Sequence, residues 1–274
     1  MAFNYEDQTI LFNFVVKQGN GVKGLIDSGM SCVTQPFVQP PAERIATLNA
    51  HTSEATQPID LSQLDGPRHK EVATQIVEAA ETLGFFQVVN HGVSVELLEL
   101  LKTSAHAVFA QPPEKKAIYL KEMSPSKLVK YGTSFVPEKE KAIDWKDYVS
   151  IIYTNDHEAL QHWPQLCRLD NGDLAEIPPL NGALVINVGD TLQIPSNGKY
   201  KSAEHRVRTT NIGSRVPVPI FTAPNPSEKI VPLPEVVKRD GVARYKELLF
   251  QDYMKNFFSQ PHDGKKSLDF ARVD

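Results

Sequence analysis

Residues 183–222 read ALVINVGDTLQIPSNGKYKSAEHRVRTTNIGSRVPVPIFT, and this stretch decides the fold. Ala183 to Val188 is a short apolar run of strand length. Leu192 to Pro195, Tyr200 to Thr209 and Arg215 to Thr222 read as further strands, separated by turn signals such as Asn197-Gly198. Asp147 to Thr154 adds one more before them. Short strands at this spacing predict a sandwich or jelly roll rather than a parallel sheet wound with helices. Downstream, Leu248, Leu249, Tyr253 and Phe257 predict a closing helix over 242–258.

Upstream the pattern changes. Pro58-Ile59-Asp60-Leu61 reads as a short strand, and Val72, Ile76, Ala79, Ala80 and Leu83 recur at helical spacing until Gly84. Phe85 to Asn90 predicts a buried strand. Ser94 then caps a helix striped by Leu98, Leu101, Ala105, Val108 and Phe109, which Pro112-Pro113 ends. Residues 1–55 are weakly patterned and are expected as an arm over the core. The fold class is therefore α+β: an N-terminal α/β domain over 56–168, then a strand-rich domain over 169–274.

Composition limits the function. The chain of 274 residues is 41% hydrophobic and 23% charged, which excludes wholesale disorder and a disulfide-dense scaffold. Twenty-nine basic residues against 33 acidic ones argue against nucleic acid as a partner. The apolar run Ile10 to Val16 follows Glu6 and Asp7 and is too short for a leader or a membrane span. Cys32 and Cys167 are expected as reduced thiols, so a cytoplasmic, soluble monomer is expected.

Several blocks of sequence are far more specific than these patterns. They are Gly189-Asp190-Thr191-Leu192-Gln193, Ser196 to Ser202, His205-Arg206-Val207 and Arg215 to Phe221, preceded by Leu83 to Val93. In this order they resemble the plant 2-oxoglutarate- and Fe(II)-dependent dioxygenases. Gly19 to Leu25, Tyr131 to Phe135, Asp144 to Tyr148 and His262 to Lys266 resemble the branch that hydroxylates feruloyl-CoA at the ortho position in coumarin formation. The resemblance implies a double-stranded β-helix (jelly roll), Fe(II), 2-oxoglutarate as co-substrate, ascorbate, and a hydroxycinnamoyl-CoA such as feruloyl-CoA as substrate.

Such enzymes hold Fe(II) with two histidines and one carboxylate, leaving positions open for co-substrate and O₂. By motif His205 is the distal histidine ligand. Arg215 is the guanidinium fork for the far carboxylate of 2-oxoglutarate, a geometry that suits two parallel charge-assisted hydrogen bonds. His91 matches a histidine of the N-terminal domain and is expected to cap a turn, with no metal role.

The sequence then departs from the family. It contains no His-x-Asp, the pair that supplies the other two ligands, and its one His-x-Glu, His69-Lys70-Glu71, opens the first long helix. Trp163 to Arg168 matches the start of the family's central helix, whereas Leu169-Asp170 already matches a loop well beyond it. An internal block is thus expected to be missing at Arg168, leaving the jelly roll incomplete. Pro217 replaces the family serine that donates a hydroxyl to 2-oxoglutarate, and proline offers neither hydroxyl nor N–H. Asp156-His157-Glu158 is the one local run with ligand-type groups. Two readings follow: an impaired or inactive dioxygenase, or a non-catalytic remnant kept as a binding or dimerisation module after exon skipping, gene deletion or a faulty gene model.

Overall fold

The computed structural model describes residues 7–41, 57–121, 123–134, 137–162, 182–205, 215–259 and 266–273. In chain order the elements are α1 (Gln8–Phe12), a π-helical turn (Asn13–Lys17), α2 (Gly21–Asp27), β1 (Ile59–Asp60), α3 (His69–Thr82), β2 (Phe85–Val89), α4 (Val95–Ala110) and α5 (Pro113–Ala117). Then come β3 (Val129–Thr133), β4 (Asp147–Ile151), α6 (Asp156–His162), β5 (Leu184–Asn187), α7 (Asp190–Gln193), β6 (Lys229–Ile230), α8 (Pro234–Asp240), β7 (Leu248–Leu249), α9 (Phe250–Ser259) and α10 (Lys266–Asp269). Contacts divide the chain into two units, Met1–Ala50 with Leu100–Leu174, and His51–Glu99 with Ala175–Asp274. The N-terminal residues group with the middle of the chain in this division.

In the first unit, residues 8–17 and 21–27 are helical, where an arm was expected. Leu11, Val15, Val22 and Leu25 fall on one face and close a core with Met30, Phe37 and Ile143. Leu11 and Leu25 are fully buried, and burial of each such side chain is worth roughly 1.5–3 kcal/mol. Strands β3 and β4 form an antiparallel hairpin that pairs Tyr131 with Val149 and Thr133 with Asp147. Asp147 ties the two parts together: its carboxylate accepts from Val22 N–H (2.7 Å), Lys23 N–H (3.0 Å) and Thr133 Oγ1 (2.6 Å). Gly21, at φ +72°, leaves room for that carboxylate, because a Cβ there would lie 2.5 Å from its oxygens.

In the second unit β2 is the centre of a three-stranded sheet, parallel to β1 and antiparallel to β5. Helix α3 packs on this sheet and ends as the sequence predicts. Gly84 adopts φ +74°, and a Cβ there would collide with the Lys201 carbonyl at 2.0 Å. A second cluster of Ile194, Ile230, Tyr245, Phe250, Tyr253, Leu268 and Ala271 gathers the C-terminal elements.

The strand expectations are met in part. Asp147–Ile151 and Leu184–Asn187 are strands, but Leu192 and Gln193 belong to the helical turn α7, which Ile194 caps. The reason is local: Gly189 and Asp190 start a helix whose carbonyls accept from Gln193 and Ile194 N–H at 3.1 and 2.9 Å, which turns Ile194 into the core at 0% exposure. Residues 200–205 and 215–222 form no strand, and 206–209 lie outside the described residues. Pro217 and Pro219 sit two apart, so both remove an N–H from the same edge of 215–222. The closing helix begins at Phe250 rather than 242, since Leu248 is drawn into pairing with Ile230.

Candidate functional site

The motif segment Gly189–Ser202 is fastened mainly to residues 240–253. Gln193 Nε2 donates to the Tyr245 hydroxyl at 2.7 Å, and its Oε1 accepts from Ser202 N–H at 2.6 Å. Asn197 is 1% exposed and left-handed at φ 54°. Its amide donates to Asp240 Oδ2 (3.0 Å) and the Val242 carbonyl (2.9 Å), while its oxygen accepts from Arg244 N–H (2.8 Å). Hydrogen bonds from Arg239 and then from Asn197 hold the Asp240 carboxyl below its usual pKa. Tyr253 donates to Asp190 Oδ2 at 2.5 Å, and burial, followed by that bond, pushes its hydroxyl far above the ordinary tyrosine range. The sequence places Asp190, Gln193 and Asn197 in motif or turn blocks and Tyr253 in the closing helix, but shows none of these hydrogen bonds. The Gly-Asp and Asn-Gly pairs were the available signal, since both are backbone-bending motifs.

The residues predicted to carry chemistry lie beyond this network. His205 is exposed, with Nδ1 3.1 Å from the Ala203 carbonyl two residues back. Arg215 and Pro217 are exposed on a segment without regular secondary structure, and among the described residues no hydrogen bond or ion pair links either to His205. Phe221 on the same segment is 85% exposed.

The other candidates are committed to local structure. His91 accepts from Val93 N–H at Nδ1 (3.2 Å) and donates from Nε2 to the Gly182 carbonyl (2.7 Å), so it fastens a turn as expected. His69 contacts the Leu64 carbonyl, and Glu71 pairs with Arg68 at the start of α3. In the first unit, Asp156, His157 and Glu158 begin α6. Asn155 Oδ1 accepts from Glu158 N–H (3.0 Å), Thr154 donates to the Glu158 carboxylate, and Tyr153 donates to Asp156 (2.9 Å). Asn155 thus caps the helix. His157 contacts Gln161 one turn on.

An Fe(II) centre of this type needs two imidazoles and a carboxylate converging on one point. Among the described residues, no three histidine, cysteine, aspartate or glutamate side chains do so. The described donor set therefore does not fit the metal.

Comparison with known proteins defines the class. Residues 57–166 match the N-terminal family of non-haem dioxygenases in morphine synthesis, and 127–224 match the 2OG-Fe(II) oxygenase superfamily. The crystal structure of JOX2 in complex with 2OG, Fe and JA superposes at a TM-score of 0.74. It shares 23% identity over 92% of this chain and 97% of its own, a likeness of the jelly-roll oxygenase fold. More specifically, scopoletin 8-hydroxylase of Arabidopsis thaliana is 63% identical over 357 positions, covering 100% of both chains. A feruloyl-CoA ortho-hydroxylase of Ipomoea batatas is 36% identical over 347 positions, covering 96% of each. The chain belongs to the 2-oxoglutarate/Fe(II) oxygenase superfamily, whose metal and co-substrate are Fe(II) and 2-oxoglutarate. Among the described residues, no helix is long and apolar enough to cross a membrane.

Proposed function

We propose that this chain is, by descent, a dioxygenase of coumarin metabolism that does not turn over on its own. In this reading His205 is a retained iron ligand, Arg215 the retained anchor for 2-oxoglutarate, and Pro217 a second loss on the co-substrate side. The observation that carries it is the absence of any His-x-Asp from the sequence. The alignment with scopoletin 8-hydroxylase lends support: of its 357 positions, 83 (357 less the 274 residues of this chain) or more have no residue here. The missing block is expected at the Arg168–Leu169 junction.

The identities of 63% and 36% favour a free hydroxylated coumarin over the coenzyme A thioester as the substrate of the intact scaffold. Bound iron in this family activates O₂ beside 2-oxoglutarate, and the residues described here supply no centre for it. The two cysteines, one of them the exposed free thiol Cys32, support a reducing compartment such as the cytoplasm. A non-catalytic module is the second reading. It is favoured by the two closed hydrophobic clusters, which form without help from His205 or Arg215.

Turnover tests this directly. The purified chain, given Fe(II), 2-oxoglutarate, ascorbate and either scopoletin or feruloyl-CoA, is expected to release no succinate. Its affinity for 2-oxoglutarate is expected to be millimolar at best, about 4 kcal/mol. Inserting the absent segment of the scopoletin hydroxylase at Arg168–Leu169 should raise turnover more than about 100-fold, beyond the loss typical of an outer-shell ligand partner. Succinate released by the unmodified chain in step with hydroxylated product, and abolished by Arg215→Ala, would overturn the inactive reading.

A further inference from the structure

The three-stranded sheet of the second unit has two edges, and they are built differently. One is β1, only two residues long, preceded by Pro58 and ended by the exposed Asp60. A short, charged edge of this kind resists pairing with another chain. The other edge is β5, where residues 183–188 read ALVINV, with no charge and no proline.

The ladder fixes which groups of β5 point outward. Val188 N–H donates to the Gly84 carbonyl at 2.8 Å, and Ile186 and Leu184 stand opposite Phe86 and Val88. In an antiparallel pair the backbone groups of alternate residues face the partner strand, so those of Leu184, Ile186 and Val188 face β2. Val185 and Asn187 therefore turn their N–H and C=O groups away from the sheet. Among the described residues no hydrogen bond reaches those groups, and the other strands close on themselves as the pairs β3–β4 and β6–β7.

This edge is complementary to itself. Turned about a two-fold axis at Ile186, Val185 of one copy stands opposite the partner's Asn187, and each such pair exchanges two hydrogen bonds between N–H and carbonyl. Ile186 then meets the partner's Ile186 in the closely spaced position between them, and its side chain is only half-buried without that neighbour. No like charges oppose each other along 183–188. The 83 or more positions of the scopoletin hydroxylase that have no residue here (357 less 274) leave this chain with less of its own to cover the edge.

We propose that β5 is a self-association edge, through which two copies of this chain pair antiparallel about a two-fold axis instead of remaining the expected monomer. The paired surface is small, so the dimer belongs to the weak, reversible class. The proposal names the surface and the partner of the non-catalytic module and rests on that reading for its role. It involves neither iron nor 2-oxoglutarate.

Analytical ultracentrifugation of the full chain, in EDTA and a reductant, tests it. The 30.5 kDa chain is expected to double its mass as concentration rises and to dissociate on dilution. Val185→Lys combined with Asn187→Lys sets lysine against lysine at both cross-strand positions and should weaken the dimer about tenfold or more. Val185→Lys combined with Asn187→Glu sets unlike charges at the same positions and should restore it, which separates a lost interface from a damaged fold. Oxidation then reads the register, with Cys32 and Cys167 replaced by serine. Ile186→Cys should form a covalent dimer, because its Cα would lie about 4.5 Å from its counterpart, whereas Val185→Cys should not. Circular dichroism verifies each fold, and Ile186→Cys carries the test alone should a double variant fail to fold. A chain monomeric at every concentration, a dimer indifferent to the paired lysines, open-ended oligomers, or no cross-link at Ile186 would each overturn the proposal. So would a monomer that instead captures a peptide of the absent segment. A monomeric chain that releases no succinate would sink the pairing and leave the inactive reading standing, so the two fail separately.

Discussion

Within the second unit, the residues around Tyr253 and the described motif residues His205 and 215–222 meet opposite fates. Ile194, Ile230, Tyr245, Phe250, Tyr253 and Leu268 are all buried, and the motif residues Asp190, Gln193 and Asn197 are hydrogen-bonded into that cluster. His205, Arg215, Pro217 and Phe221 belong to the same run of motifs yet stand exposed. The contrast separates two kinds of motif residue. One kind is satisfied by partners nearby in the same C-terminal segment, whereas the other needs neighbouring strands and a metal to give it a place.

The largest effect that sharpens this contrast is on stability. Ile194→Ala, which opens a cavity at a fully buried position, should destabilise the second unit by about 2–5 kcal/mol. Denaturant unfolding followed by hydrogen exchange should locate the loss there and leave the β3–β4 amides protected. A uniform loss across both units would merge what the comparison separates.

A smaller effect comes from Tyr253. Its hydroxyl pKa is raised in the folded state, so the native chain holds that proton more tightly than the unfolded one does. The resulting stability is complete below the normal tyrosine pKa near 10 and is lost as pH climbs from there toward the folded value. Tyr253→Phe should cost about 1.5–3 kcal/mol at neutral pH through loss of its hydrogen bond to the Asp190 carboxylate, and should flatten the alkaline fall seen in urea titrations at successive pH values. An alkaline limb unchanged in the variant would place its origin elsewhere, with Tyr131 the next to examine, since burial raises its hydroxyl as well.

The smallest effect is expected where the motif is most specific. Arg215→Ala and Pro217→Ser, both at exposed positions, should each change stability by less than about 0.5 kcal/mol. A thermal shift of several degrees in either variant would mean that this segment is packed after all, and the contrast would collapse.

By itself the sequence determined the elements whose signals are local. The α3 stripe with Gly84 at its end, the strand at Phe85–Val89, and the α4 helix opened by Ser94, whose hydroxyl accepts from Leu97 N–H at 3.2 Å, were all legible. So was the family, because its blocks of residues are specific in kind and in order. So was the absence of any His-x-Asp, which is read directly from the order of residues.

Tertiary structure alone decided the rest. The helices of residues 8–17 and 21–27 pack into one core where Asp147, more than a hundred residues on, fastens the start of α2. Ile194 turned inward on a helical turn rather than a strand, since its own backbone could bond to Asp190 and a core lay ready for it. Asp156, His157 and Glu158 look like metal ligands in one dimension, but in three they are absorbed by the cap of α6. Local propensity acts between neighbours, and a sequence displays it openly. Burial and ligation depend on which distant side chains arrive at the same place, and only the folded chain settles that.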